Sequence, residues 1–153
     1  MKIAIGSDHA GYKLKLVIEE YLHTKKIPFK DFGCNCPESV DYPDYAYAVA
    51  KAVSSGKFSK GILLCGTGIG MSIAVNKFPG IRGALAYNEF AAKMSREHND
   101  ANVLILAGRV LSRKKALGIL KIWLNAKFEG GRHSKRLNKI KELEKKINHN
   151  GHW

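Results

Sequence analysis

Lys2-Ile3-Ala4-Ile5-Gly6 is a short apolar run of buried-strand type, and from Tyr12 the residues Leu14, Leu16, Val17, Ile18, Tyr21 and Leu22 fall mostly at helical spacing. Residues 28–33 alternate like a second strand. A turn-rich segment then leads to Pro43, a good first residue for a helix over 44–54 that Gly56 closes. Residues 61–65 form a fully apolar third strand, running into Gly66-Thr67-Gly68-Ile69-Gly70 and a helix from about 71 to 78. Residues 81–87 read as a fourth strand, with Asn88 capping a helix over 89–97, and 102–107 as a fifth. Ser112 caps an amphipathic helix to about 128, Gly130-Gly131 breaks it, and a lysine-rich helix runs from 132 to about 147.

Strands alternating with helices require right-handed crossovers and a parallel sheet covered on both faces. The predicted fold is therefore α/β, a three-layer doubly wound (Rossmann-like) five-stranded parallel sheet with a C-terminal helical extension. Such sheets bind ligands outside the carboxyl ends of their strands, which selects residues 7–11, 65–70, 87–88 and 108–109. No internal repeat or linker divides the chain. Residues 1–153 read as one domain, with 132–153 a basic C-terminal helix and tail.

Composition narrows the class. The chain has 153 residues, 45% hydrophobic and 25% charged, proportions that exclude wholesale disorder and a fibrous repeat. Its longest uncharged apolar runs, such as 61–71, are too short and glycine-rich to span a membrane. The first residues meet an acid and a histidine before any signal-peptide stretch forms, so a cytoplasmic location is expected. Cys34, Cys36 and Cys65 cannot all pair, and the first two are one residue apart, which argues against a disulfide framework. The net charge of +13 is uneven: residues 1–108 carry 13 basic against 10 acidic side chains, residues 109–153 carry 13 against 3. Nucleic-acid binding, capture of small anions and a solvated basic face all fit that asymmetry.

Cys65-Gly66-Thr67-Gly68-Ile69-Gly70 is the most informative segment. Its glycines let the backbone turn sharply and bring successive N–H groups together, where the next helix adds its positive end. The result is either an anion cradle or a tight turn that uses glycine for geometry alone. It fits neither the dinucleotide fingerprint nor a nucleoside-triphosphate loop. Cys65 at the strand's end could act as a base or nucleophile with its thiolate stabilised there, or be an inert buried cysteine. Asp8-His9 and His98-Asn99-Asp100 both lie in connections read as near the crevice, and histidine suits proton transfer near neutral pH. Arg109 follows the fifth strand, and Arg132, His133 and Arg136 follow the Gly-Gly break. Arginine forks match phosphate oxygens, although a solvated helix start explains the second group equally well. Cys34 and Cys36 receive no role. Together these parts suit sugar-phosphate isomerisation through an enediolate, which calls for neither metal nor cofactor.

Six segments, Gly6-Ser7-Asp8-His9-Ala10-Gly11, Asp41-Tyr42-Pro43, Cys65 to Gly70, Asn76-Lys77-Phe78, Ser95 to Val103 and Gly130-Gly131-Arg132-His133, occur in this order over nearly the whole chain. In them the chain resembles the ribose-5-phosphate isomerase B family, which also holds galactose-6-phosphate and allose-6-phosphate isomerases. The resemblance implies Cys65 as the base that removes the C2 proton, with no carboxylate competing among Met71, Ile73 and Ala74. It implies Thr67 as the group assisting proton movement between the two oxygens, N–H groups of Gly66, Gly68, Ile69 and Gly70 on the enediolate, and His98 as the acid/base that opens the furanose ring. Asp8, Tyr42 and Asn99 match sugar-contacting positions; His9, Arg109, Arg132 and Arg136 match phosphate-binding ones. A homodimer or homotetramer with sites between subunits is implied as well, as is a small phosphorylated sugar as the ligand.

Interconversion of ribose 5-phosphate and ribulose 5-phosphate is thus the leading expectation, with a six-carbon sugar phosphate as the alternative, since a pocket one carbon longer needs few changes. A nucleic-acid binder is the reading from another class, but the basic tail lacks aromatic interleaving and a recognised module. Neither nucleic acid nor membrane is an expected partner. The tail after Leu137 is more lysine-rich than the resemblance explains, and a frayed or surface-packed extension is expected there.

Overall fold

The computed structural model describes residues 1–149. Five strands and six helices follow one another as β1 (Ile3–Ser7), α1 (Tyr12–Thr24), β2 (Phe29–Asp31), α2 (Tyr42–Ser54), β3 (Lys60–Cys65), α3 (Ile69–Val75), β4 (Gly83–Leu85), α4 (Glu89–Glu97), β5 (Val103–Ala107), α5 (Arg113–Asn125) and α6 (Arg132–His149). The strands form one parallel sheet in the order β2-β1-β3-β5-β4. The end of the tail, 150–153, lies outside the described residues.

Period-two alternation along the central strands divides the interior. Ile3, Ile5, Ile62, Leu64, Leu104 and Leu106 face α1, α4 and α5, where Trp123 is fully buried. Ala4, Leu63, Cys65, Val103 and Ile105 face α2 and α3 on the other side. Both faces are apolar, so these strands have no polar alternation, as expected of a parallel sheet covered twice. No helix among the described residues is long and apolar enough to cross a membrane.

Local signals place most boundaries. The Asn88 side chain accepts from Ala91 N–H, and Ser112 Oγ from Lys115 N–H, so both predicted caps hold their helices. The predicted start of the third helix is corrected: α3 begins at Ile69 rather than Met71 and ends at Val75. Gly68 supplies the turn with φ +80°, so Ile69 and Gly70 are first-turn helical residues rather than loop. β4 is only Gly83–Leu85, because an edge strand pairs on one side alone.

Helix α1 holds an unexpected group. Lys15 is completely buried while Leu16 is 46% exposed, a rotation that periodicity alone does not predict. The Lys15 ammonium donates to Asp31, to Cys34 O (2.7 Å) and to Asn35 Oδ1 (3.4 Å), with Glu19 at 3.8 Å. These bonds fix the segment after β2, which is also tied to β1 by Ser7 N–H to Gly33 O and Cys34 N–H to Ser7 O, each 2.6 Å. Burial and the adjacent Asp31 push the Glu19 carboxyl up to about 7, against the opposing pull of Lys15. Helix α6 runs along the β4 edge of its own chain, burying Leu137 and taking the Gly80 N–H on the Glu144 carboxylate (3.3 and 3.4 Å).

Candidate active site

The chain turns opposite ways from β1, to β2 on one side and toward β3 on the other, so a crevice opens at the carboxyl ends of β1 and β3. Asp8 leaves β1 and is nearly buried; its N–H donates to Leu64 O (3.1 Å) and its Oδ1 accepts from Gly11 N–H (2.9 Å). A Cβ on Gly11 would stand 2.5 Å from Leu64 O, so only glycine lets the start of α1 approach the strand that carries Cys65 so closely. His9 Nδ1 accepts from Val40 N–H (3.2 Å), which leaves Nε2 as the donating nitrogen.

Cys65 ends β3 with its thiol almost fully buried, and Sγ accepts the Gly68 N–H at 3.2 Å. Negative charge arising on sulfur therefore meets a fixed donor. Thr67 is exposed; its Oγ1 accepts from Ile69 N–H (3.3 Å) and its carbonyl from the Tyr87 hydroxyl (2.7 Å). Arg109 N–H donates to Gly66 O (3.0 Å), and its side chain would lie 3.4 Å from a Cβ on Gly66. The Tyr42 ring covers Gly70, where an added Cβ would meet it at 2.7 Å. The structure thus gathers Asp8, His9, Tyr42, Cys65, Gly66, Thr67, Gly68, Ile69, Gly70 and Arg109 at one end of the sheet.

His98, Asn99, Arg132 and Arg136 are not there, and the expectation that His98 borders the same crevice is corrected. His98 is the C-cap of α4 and precedes β5, so it lies at the amino end of the strands. Register pairs Cys65 with Ala107 but Gly61 with Val103, and Gly61 N–H donates to Asn102 O (2.8 Å). Four strand steps of about 3.3 Å, roughly 13 Å of sheet, separate the two ends. The reason is topological: strand-to-helix connections sit at carboxyl ends and helix-to-strand connections at amino ends.

At that second end a distinct cluster forms. The His98 and His133 rings stack with centroids 4.2 Å apart and planes 9° from parallel. Glu129 Oε2 lies 3.9 Å from His98 Nε2 and 3.6 Å from His133 Nε2. His133 is buried, and desolvation, then His98 and Arg132, push its pKa below the usual imidazole value. Arg132 and Arg136 begin α6 beside it, exposed. The sequence reading grouped His133 with these arginines but gave it no role, and it missed Glu129; the shared signal is the turn after α5, where Gly130 and Gly131 both have positive φ and fold 126–131 back on α4 through Glu129 N–H to Glu97 O (3.0 Å).

A doubly wound α/β sheet with a thiol, a carboxylate, an imidazole and an arginine around an N–H-lined turn is an arrangement suited to binding a small anion and moving protons. Comparison with known proteins makes the class specific. The family model described as Ribose/Galactose Isomerase matches residues 3–140, and the chain belongs to that family. It is 45% identical over 147 residues to ribose-5-phosphate isomerase B of Escherichia coli, covering 96% of this chain and 99% of that one. The structure of ribose-5-phosphate isomerase B from Clostridium thermocellum superimposes with a TM-score of 0.95 at 54% identity, over 96% of this chain and 99% of that chain. A crystal structure of the Mycoplasma genitalium protein of that name, with bound ribulose-5-phosphate, has a TM-score of 0.90 at 42% identity, over 94% and 96% of the two chains.

Proposed function

We propose that the chain is an aldose-ketose isomerase that interconverts ribose 5-phosphate and ribulose 5-phosphate without a metal, at sites each assembled from two copies. The observation that carries the reading is the Cys65 sulfur, held at a strand end with the Gly68 N–H on it. No carboxylate follows in α3 to compete as base.

In this scheme His98 opens the furanose by moving a proton from the anomeric hydroxyl to the ring oxygen. Cys65, as thiolate, then removes the C2 proton of the open aldose. Charge moves onto O1 and is met by the N–H groups of Gly66 and Gly70, joined by those of Gly68 and Ile69 as they turn from the Cys65 sulfur and Thr67 Oγ1 once the sulfur has lost its charge. Thr67 relays the O2 proton to O1, and the thiol returns its proton at C1, which leaves the ketose and restores the thiolate. Asp8, Tyr42 and Asn99 hold the sugar; His9, Arg109, Arg132 and Arg136 hold the phosphate.

Two copies are needed because His98, Asn99, Arg132 and Arg136 stand at the opposite end of the sheet from Cys65. In a two-fold dimer the carboxyl end of one protomer meets the amino end of its partner, and the exchange is reciprocal. Exposed Ile69, Ile73, Phe90 and Val110 lie on α3, on α4 and after β5, where a second copy would cover them.

A comparison of kcat/KM for ribose 5-phosphate, allose 6-phosphate and galactose 6-phosphate, with a chelator present, tests the substrate. One carbon of pocket length is worth about 1–3 kcal/mol, so the pentose should lead by roughly 10- to 200-fold. A six-carbon substrate in the lead would overturn the pentose assignment, and activity abolished by the chelator would overturn the metal-free mechanism.

A further inference from the structure

We propose that His98, Glu129 and His133 form a binding site for a divalent cation of the zinc type, and that the ion switches the isomerase off. One ligand atom from each of the three lies within 4.8 Å of the others. Zinc bonds of about 2.0–2.1 Å in a tetrahedron hold their ligand atoms roughly 3.3 Å apart, so the set has to contract modestly. The means to contract are unevenly placed: the His133 side chain is 4% exposed and fixed, whereas His98 is 35% exposed and Glu129 53%. Rotation of the two mobile side chains toward the fixed one breaks the ring stacking and turns both Nε2 atoms and the carboxylate onto one ion.

The donor set selects the metal class. Two imidazoles and one carboxylate suit zinc and its late first-row neighbours, while magnesium and calcium prefer oxygen alone. Three protein ligands leave a fourth position open. Opposing this, Arg132 Nε stands 3.4 Å from His133 Nε2, and Arg132 and Arg136 add positive charge close by. Arg132 is exposed and its contact is at the limit of hydrogen-bonding distance, so it can withdraw. The arginines weaken the site relative to a structural zinc centre, which suits reversible occupancy.

The consequence for catalysis rests on the role proposed for His98. An ion on its Nε2 takes the lone pair that ring opening needs. Metal therefore inhibits an enzyme whose own chemistry needs none.

The test is calorimetric titration of the chelator-stripped, full-length protein with Zn²⁺ in the absence of substrate. It is run on wild type, Cys65→Ala, Glu129→Gln and His133→Asn, with inhibition measured in parallel on wild type and Glu129→Gln. The expected result is one ion per chain in wild type and in Cys65→Ala, with affinity lowered at least tenfold in Glu129→Gln and His133→Asn. Glu129 is exposed, so its variant remains informative if His133→Asn fails to fold. The half-inhibiting Zn²⁺ concentration should rise by the same factor in Glu129→Gln. Absence of binding, unchanged binding in Glu129→Gln, or binding lost with Cys65 would overturn the site. Binding at the site without inhibition would leave the metal site standing, overturn the proposed switch, and count against ring opening by His98.

Discussion

Glu19→Gln tests the buried cluster that holds the segment between β2 and α2. Glu19 is pushed up from 4.5 to about 7, first by burial and second by Asp31, with Lys15 3.8 Å away pulling the other way. Its Oε1 is buried without a hydrogen-bond partner. A carboxyl whose folded pKa lies above its unfolded value leaves stability fully present below the unfolded pKa and lost as pH rises through the folded one. The window here is therefore pH 4.5 to about 7, with the full penalty above it. A shift of this size, at about 1.4 kcal/mol per pK unit, sets the penalty at no more than about 3.5 kcal/mol. Glutamine fills the same space and cannot ionise. Urea unfolding at pH 8 should show Glu19→Gln more stable than wild type by about 1–3 kcal/mol. At pH 4.5 the two proteins should differ little. A variant destabilised equally at both pH values would refute the reasoning, because it would mean that the attraction between Glu19 and Lys15 outweighs desolvation.

Cys65→Ala should lower turnover by several powers of ten while folding and substrate binding stay nearly intact, each tenfold being about 1.4 kcal/mol of barrier. Cys36→Ala and Cys34→Ala are the matched controls and should leave the chemistry close to wild type; near-normal turnover in Cys65→Ala would remove the thiol from the mechanism. Gly68→Ala combines φ +80° with a Cβ 2.3 Å from Leu85 Cδ1, and should cost about 2–5 kcal/mol in urea unfolding. Gly56→Ala has φ +74° and nothing within 4 Å, so only strain of about 1–2 kcal/mol should appear. Equal costs at the two glycines would show that the turn under Cys65 is not tightly packed.

The order of elements was readable because each central strand is uniformly apolar and each helix carries its own stop or start, such as Asn88, Ser112 and the Gly130-Gly131 pair. Boundaries slipped where glycine is ambiguous: Gly70 reads as loop by propensity, yet Gly68 has already made the turn and the helix begins before it. Lys15 was illegible, because a buried ammonium depends on Asp31 and the Cys34 carbonyl, partners 16 and 19 residues away. The Cys65 loop was legible in type and place. The position of His98 was legible too, since a residue that follows a helix and precedes a parallel strand belongs at the amino end. The role expected for His98 beside Cys65 obscured that rule, and the two-copy site proposed above rests on this difference. The α6 packing against the β4 edge carries no comparable signal, as its apolar residues Ile140, Leu143 and Ile147 stay about half exposed.

Re-association of inactive variants tests the shared site most directly. Mixing Cys65→Ala with His98→Asn chains produces hybrid dimers in which one site holds both lesions and the other holds neither. With random pairing about half the dimers are hybrids and half of their sites are intact, so roughly a quarter of wild-type activity should return. Cys65→Ala with Arg132→Ala should recover in the same proportion. His98→Asn with Arg132→Ala should recover nothing, because both residues come from the same end of one protomer and every hybrid site keeps one lesion. Activity held at parental levels in the first two mixtures, with hybrids verified by mass, would contradict a site built from opposite ends of two copies.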